Sequence, residues 1–110
     1  MDLFNKLQDL LIKLDSDVRQ LKNTGREYAT AYTEYRIALA QELVRLRDNN
    51  IPVTICSDLA RGNRDVAKKK FNEISSEAIY KSNLESINAL KLQIKVIQEQ
   101  LDKEWSNTTN

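Results

Sequence analysis

The chain has 110 residues, 17 Lys+Arg against 16 Asp+Glu, no His, one Cys, two Gly and one Pro. At average usage Gly and Pro together would number about a dozen, so three breakers are too few for a β-sandwich, a barrel or a doubly wound α/β fold. Without His the commonest general base and metal ligand are missing, and a single Cys excludes a disulfide framework or a Cys-cluster zinc site. The expectation is an all-α protein that is not an enzyme and carries no metal and no cofactor.

No stretch approaches the ~18–20 consecutive apolar residues of a membrane span. The opening residues Met1 to Lys6 lack a basic segment followed by a small-residue cleavage site, so no signal peptide is expected. A cytoplasmic location and a reduced Cys56 follow as expectations.

Residues 2–49 read as a helical first arm. Leu7, Leu11, Leu14, Val18 and Leu21 alternate by four and three, and the rhythm resumes after Gly25 at Tyr28, Tyr32, Tyr35 and Leu39, reaching Leu46. That is the spacing of a helix packed along a coiled-coil seam. An unbroken phase across Asn23-Thr24-Gly25 favours one continuous helix. Thr24-Gly25-Arg26-Glu27 also fits a capping box, so a reversal at Gly25, giving a three-helix bundle, is the alternative.

A connector spans 50–63. Asn49, Asn50 and Pro52 end the first arm, Ile51 to Ile55 reads as short and extended, and Ser57 caps a single turn at Asp58 to Arg61 before Gly62. Asn63 is a good N-cap for the second arm, 64–105, with Asp65 favourable in its first turn. There Phe71, Ile74 and Ala78 open an apolar stripe that continues, after a shift near Lys81-Ser82-Asn83, through Tyr80, Leu84, Ile87, Leu90, Ile94, Ile97, Leu101 and Trp105. The polar tail 106–110 is expected to fray. Taken as a single domain, the arms form an elongated antiparallel helical hairpin. Setting residue 49 opposite 64 predicts Tyr80 near Tyr32 and Tyr35, Leu90 near Leu21, and Trp105 near Leu7 and Leu11.

Leu3, Phe4 and Leu10 on the first arm, and Ala89, Leu92 and Val96 on the second, are apolar residues beyond the main stripe. They read either as a broad core face or as a self-association surface, the latter giving a helical-bundle homo-oligomer, with a dimer favoured. Charge is also uneven. Segment 45–70 holds Arg45, Arg47, Arg61, Arg64, Lys68, Lys69 and Lys70 against three acidic residues, net +4, while 1–44 and 71–110 are mildly acidic. This basic pole is a candidate contact for a protein partner or for a phosphate backbone. A helix-turn-helix in the connector is disfavoured because its first helix would be about one turn. Tyr28, Tyr32, Tyr35 and Tyr80 read as seam packing rather than stacking platforms for bases. No GxxxxGK[ST], HExxH or GxSxG motif occurs.

Three stretches together, Arg36 to Arg45, Pro52 to Thr54 with Asp58 to Asn63, and Ser86 to Lys91, resemble small helical proteins encoded by phages and prophages of low-GC Gram-positive bacteria. The similarity covers roughly residues 28–105, and Asp58 to Asn63 is its most distinctive part. It implies an accessory role in the host cytoplasm and transfers no site residue. The functional expectation is a factor that binds a host or phage protein and modulates host defence or metabolism. The alternative is a nucleic-acid-binding helper in phage DNA replication or recombination. No membrane partner is expected, because Asp2, Asp9, Asp15 and Asp17 offset the basic residues of the first arm.

Overall fold

A computed structural model describes residues 2–109. Every regular element among them is an α-helix: α1 (Leu3–Asp48), α2 (Val53–Gly62) and α3 (Arg64–Thr109). Asp2 starts α1 by accepting the backbone N–H of Phe4 at 2.6 Å and of Asn5 at 3.3 Å, which satisfies two of the orphan donors of the first turn. The helix then runs through Thr24 and Gly25 without a break, so the capping box is not used and the chain does not reverse there.

α1 ends in a Schellman motif. Asn50 takes the left-handed conformation at φ 63°, which Asn tolerates better than most residues. Its N–H bonds to the Arg47 carbonyl at 3.0 Å, and the Ile51 N–H reaches back to Leu46 at 3.1 Å. The Arg47 guanidinium closes the turn by donating to the Ile51 carbonyl at 2.8 Å. Pro52 follows at φ −55°, already suited to helix entry.

Of the extended segment expected at Ile51 to Ile55, Ile51 and Pro52 stay outside the helix but Val53 to Ile55 are the start of α2. Val53, Thr54 and Ile55 favour strands locally, but Cys56 and Ala60, one turn apart, pack with Leu46 in one buried cluster flanked by Leu39, Leu43 and Ile51. That burial overrides the weak β-propensity of three residues. At the far end Asn63 caps α3 as expected, its Oδ1 accepting from the N–H of Asp65 at 2.9 Å and of Val66 at 3.2 Å. α3 continues past 105 to Thr109, where the sequence suggests a frayed tail.

The helices contribute to two compact units. The first comprises residues up to Asn23 with those from Lys81 onward, and the second comprises Thr24–Tyr80. In the first unit Ile87, Leu90, Ile94 and Ile97 of α3 are buried, and Leu7, Leu10, Leu14 and Leu21 of α1 are half-buried. The Asn83 amide donates to the Asp17 carbonyl at 3.0 Å and the Ser86 hydroxyl to the Asp17 carboxylate. These cross-helix bonds fix the register of α1 against α3 within this unit.

In the second unit Tyr35 and Ala38 of α1 cluster with Val66 of α3. The Tyr28 hydroxyl donates to Glu77 at 2.6 Å, and the Tyr28 and Tyr80 rings lie 6.0 Å apart. Tyr80 also lies over Gly25: a Cβ there would stand 3.4 Å from its Cε1. The expected register is therefore corrected. Tyr80 meets Gly25 and Tyr28 rather than Tyr32 and Tyr35, a displacement of one heptad. The cause is α2, which occupies the side of Leu39, Leu43 and Leu46 that the hairpin register assigned to α3.

Two further corrections concern which rows face inward. On α1 the row beginning Leu7, Leu14, Leu21, Tyr28, Tyr35 faces inward as expected, but its companion is Leu10, Asp17, Thr24, Ala31 and Ala38. Leu11, Val18 and Tyr32 stay nearly half exposed. In the second unit the small side chains of Ala31 and Ala38 admit Tyr35 and the neighbouring helix where a larger residue would hold them apart. On α3 the inward row is Val66, Lys69, Glu73, Ser76, Tyr80, Asn83, Ile87, Leu90, Ile94, Ile97 and Leu101. Its spacing alternates three and four without the shift expected near Asn83, so Phe71, Ile74 and Ala78 fall outside. Trp105, expected in the seam near Leu7 and Leu11, is likewise exposed at 71%.

Candidate functional site

The cations of the expected basic pole all belong to the second unit, and the structure sorts them by what holds them. Arg45 is engaged bidentately with Glu42 one turn earlier. The hydrogen bonds of this pair hold the Glu42 carboxyl below its usual range and raise the Arg45 guanidinium further. Arg47 is committed to the Ile51 carbonyl. Lys69 stands 3.9 Å from Glu34 on α1, at the limit of an ion pair and of little energetic weight.

Lys70 is the most constrained of the set. Its ammonium lies 2.8 Å from Glu73 Oε2 and 4.6 Å above the centre of the Tyr35 ring. The bond to Glu73, more than any other influence, raises its pKa. Glu73 is itself buried at 7% exposure, and a carboxylate in that position needs a cation close by. Lys70 is thus exposed itself but sets its charge against a buried carboxylate. With Tyr35, Val66 and Arg61 it lines a pocket in the second unit.

Arg61, Arg64 and Lys68 remain on the surface. Arg64 and Lys68 border a feature that the composition conceals. Ala67, Phe71, Ile74 and Ala78 follow one another at intervals of four, three and four, which aligns them along one face of α3. All four are exposed, Phe71 at 69% and Ile74 at 58%. Arg64 lies in line with Phe71, two turns earlier, and Lys68 borders the same stripe. Counting from the inward row, this stripe points directly away from α1. The same helix therefore turns Glu73 and Ser76 inward and Phe71 and Ile74 outward.

Phe71, Ile74 and Ala78 of this stripe look, in the sequence, like the start of a core. Counting backward from Ile97, Ile94, Leu90 and Ile87 in threes and fours reaches Asn83, Tyr80, Ser76, Glu73 and Val66, and that continuity was the available signal. Ile37 and Val44 on α1 are also exposed, but they stand a full heptad apart with polar Gln41 between them. Tyr28, Tyr35 and Tyr80 take part in interior contacts as expected.

Of the residues considered for self-association, the first unit brings together Leu10, Leu92 and Val96, which line an open groove with Lys6, Gln93 and Ile97. Phe4, Ala89, Leu92 and Val96 are exposed and Leu3 is half-buried. Among the described residues no three His, Cys, Asp or Glu side chains gather as a metal site would require. No helix among them is long and apolar enough to cross a membrane. No family model matches the chain, and neither a curated protein nor a solved structure matches it.

Proposed function

We propose that this protein acts by binding another protein through the outward face of α3 in the second unit. The observation that carries the reading is the inversion on that helix: Glu73 is buried while Phe71 and Ile74 are exposed. A buried carboxylate and an exposed row of large apolar side chains each cost stability in an isolated chain. A row of that kind is commonly an interaction surface. The resemblance to phage and prophage proteins suggests a host or phage protein as the partner, met in the bacterial cytoplasm. Nucleic-acid binding has less support, since Arg45, Arg47 and Lys70 are engaged within the fold.

A photo-crosslinking amino acid placed at Phe71 or Ile74 tests this reading in cells that make the protein. The expected result is one discrete protein adduct from both positions and none from exposed Asn88 in the first unit. Absence of adducts at 71 and 74, or equal adducts at Asn88, overturns it. Binding of DNA or RNA that weakens steeply with salt, with no protein adduct, would replace it.

A further inference from the structure

Resting on that reading, we infer that the partner segment is an acidic amphipathic helix, seated along Ala67, Phe71, Ile74 and Ala78 with its carboxylates toward Arg64 and Lys68. Three properties of the face point to this occupant.

The first is the backbone. Within α3 the N–H and C=O groups are already paired along the helix, so the face offers no ladder for an added strand. A partner gains only by burying side chains. The second is the shape. The stripe covers about three helical turns, with bulky Phe71 and Ile74 between small Ala67 and Ala78. Two large side chains flanked by alanines make a ridge and hollows suited to the grooves of one other helix.

The third is charge. Arg64 and Lys68 border the stripe at the N-terminal end of α3, where the helix dipole adds positive potential. Both are exposed, and neither forms an ion pair among the described residues. The positions that form the face, from Arg64 through Ala67, Phe71 and Ile74 to Ala78, contain no carboxylate. A second copy of this face therefore has nothing to offer Arg64 and Lys68. A parallel pairing would set like charges together, and an antiparallel one would bring no carboxylate of the face to them. Acidic side chains on a foreign helix supply what the face lacks.

The test uses the full chain and two labelled helical peptides of roughly 18 residues. Both carry Leu at i, i+3, i+4 and i+7, one with Glu and the other with Lys at the remaining surface positions. Fluorescence anisotropy should show saturable binding of the Glu peptide, weakened about tenfold by Phe71→Ser. The double variant Arg64→Glu with Lys68→Glu should weaken it by a similar factor and remove its salt dependence. The Lys peptide should not bind. Circular dichroism of each variant should match the parent, because the altered side chains are exposed.

Equal binding of both peptides, no binding of the Glu peptide, or Glu-peptide binding that survives both variants overturns the proposal. So does a Phe71-dependent dimer in light scattering, or equal variant sensitivity on vesicles of anionic phospholipid. A discrete protein crosslink from Phe71 combined with no Glu-peptide binding would leave the docking surface standing and reject the acidic helix.

Discussion

The two units build the same pairing of α1 with α3 from opposite materials. In the first, the inward row of α3 runs from Asn83 through Ile87, Leu90, Ile94 and Ile97 to Leu101 and is mostly apolar, and its cross-helix hydrogen bonds include those of Asn83 and Ser86 with Asp17. In the second, the corresponding positions are Val66, Lys69, Glu73, Ser76 and Tyr80. Its cross-helix contacts include Tyr28 with Glu77, Lys70 with Tyr35, and Tyr80 over Gly25. Apolar burial is strong but tolerant of which residue meets which. Polar and aromatic pairs contribute less net energy but discriminate between registers, since a slipped pair leaves a donor or a charge without its partner. The first unit therefore supplies cohesion. The second relies more on such pairs for its alignment and leaves Phe71 and Ile74 of α3 on the surface.

The largest expected effect tests the first half of this contrast. Ile94→Ala removes a buried side chain and should cost about 2–4 kcal/mol, read as a lower midpoint in urea at unchanged slope. Phe71→Ala, which deletes a larger but exposed side chain, should change stability by no more than about 0.5 kcal/mol. If Phe71→Ala proves as costly as Ile94→Ala, the stripe belongs to a core and the inversion on α3 fails.

Gly25→Ala sharpens the account of the second unit. Replacing a glycine inside a helix by alanine gains about 0.5–1 kcal/mol when the new methyl fits. At 3.4 Å from Tyr80 Cε1 the added Cβ meets the ring at close contact, so a net stabilisation is expected by thermal melting. A loss greater than the propensity gain would mean that Tyr80 needs the bare backbone to hold the register.

The smallest expected effect is a pH dependence. Donation to Glu77, with lesser contributions from burial and nearby carboxylates, raises the Tyr28 hydroxyl from 10.0 to about 12. Because the folded value is the higher one, the contribution of this group to stability is fully present below pH 10 and is lost as pH rises through about 12. Absorbance titration of phenolate should show a late phase near pH 12 that Tyr28→Phe removes. If that phase survives Tyr28→Phe, the Tyr28–Glu77 bond does not hold the proton.

Much of the fold is legible in the chain itself. Three breakers among 110 residues leave room for little besides long helices, and the unbroken phase across Gly25 announces a continuous α1. Asn63 with Asp65 marks the start of α3, and the row Leu7, Leu14, Leu21, Tyr28, Tyr35 marks one inward edge. These follow from local chemistry: the period of 3.6 residues, side-chain caps and the restricted geometry of Pro.

Other features depend on which surfaces meet. On α1 apolar residues stand on both sides of the Leu7 row, so periodicity could not choose between Leu11, Val18, Tyr32 and the smaller set that includes Ala31 and Ala38. Close packing made that choice. The one-heptad register depends on α2, whose strand-like opening residues become helical only because Cys56 and Ala60 find Leu46. Likewise, spacing suggests that Lys70 can pair with Glu73 but not that Glu73 is buried, and Phe71 reads as core until α1 is placed on the opposite face. Hydrophobicity along a chain records which residues can be buried. Which of them are buried is decided by the neighbour, because burial is a property of two surfaces and only one is written in any single helix.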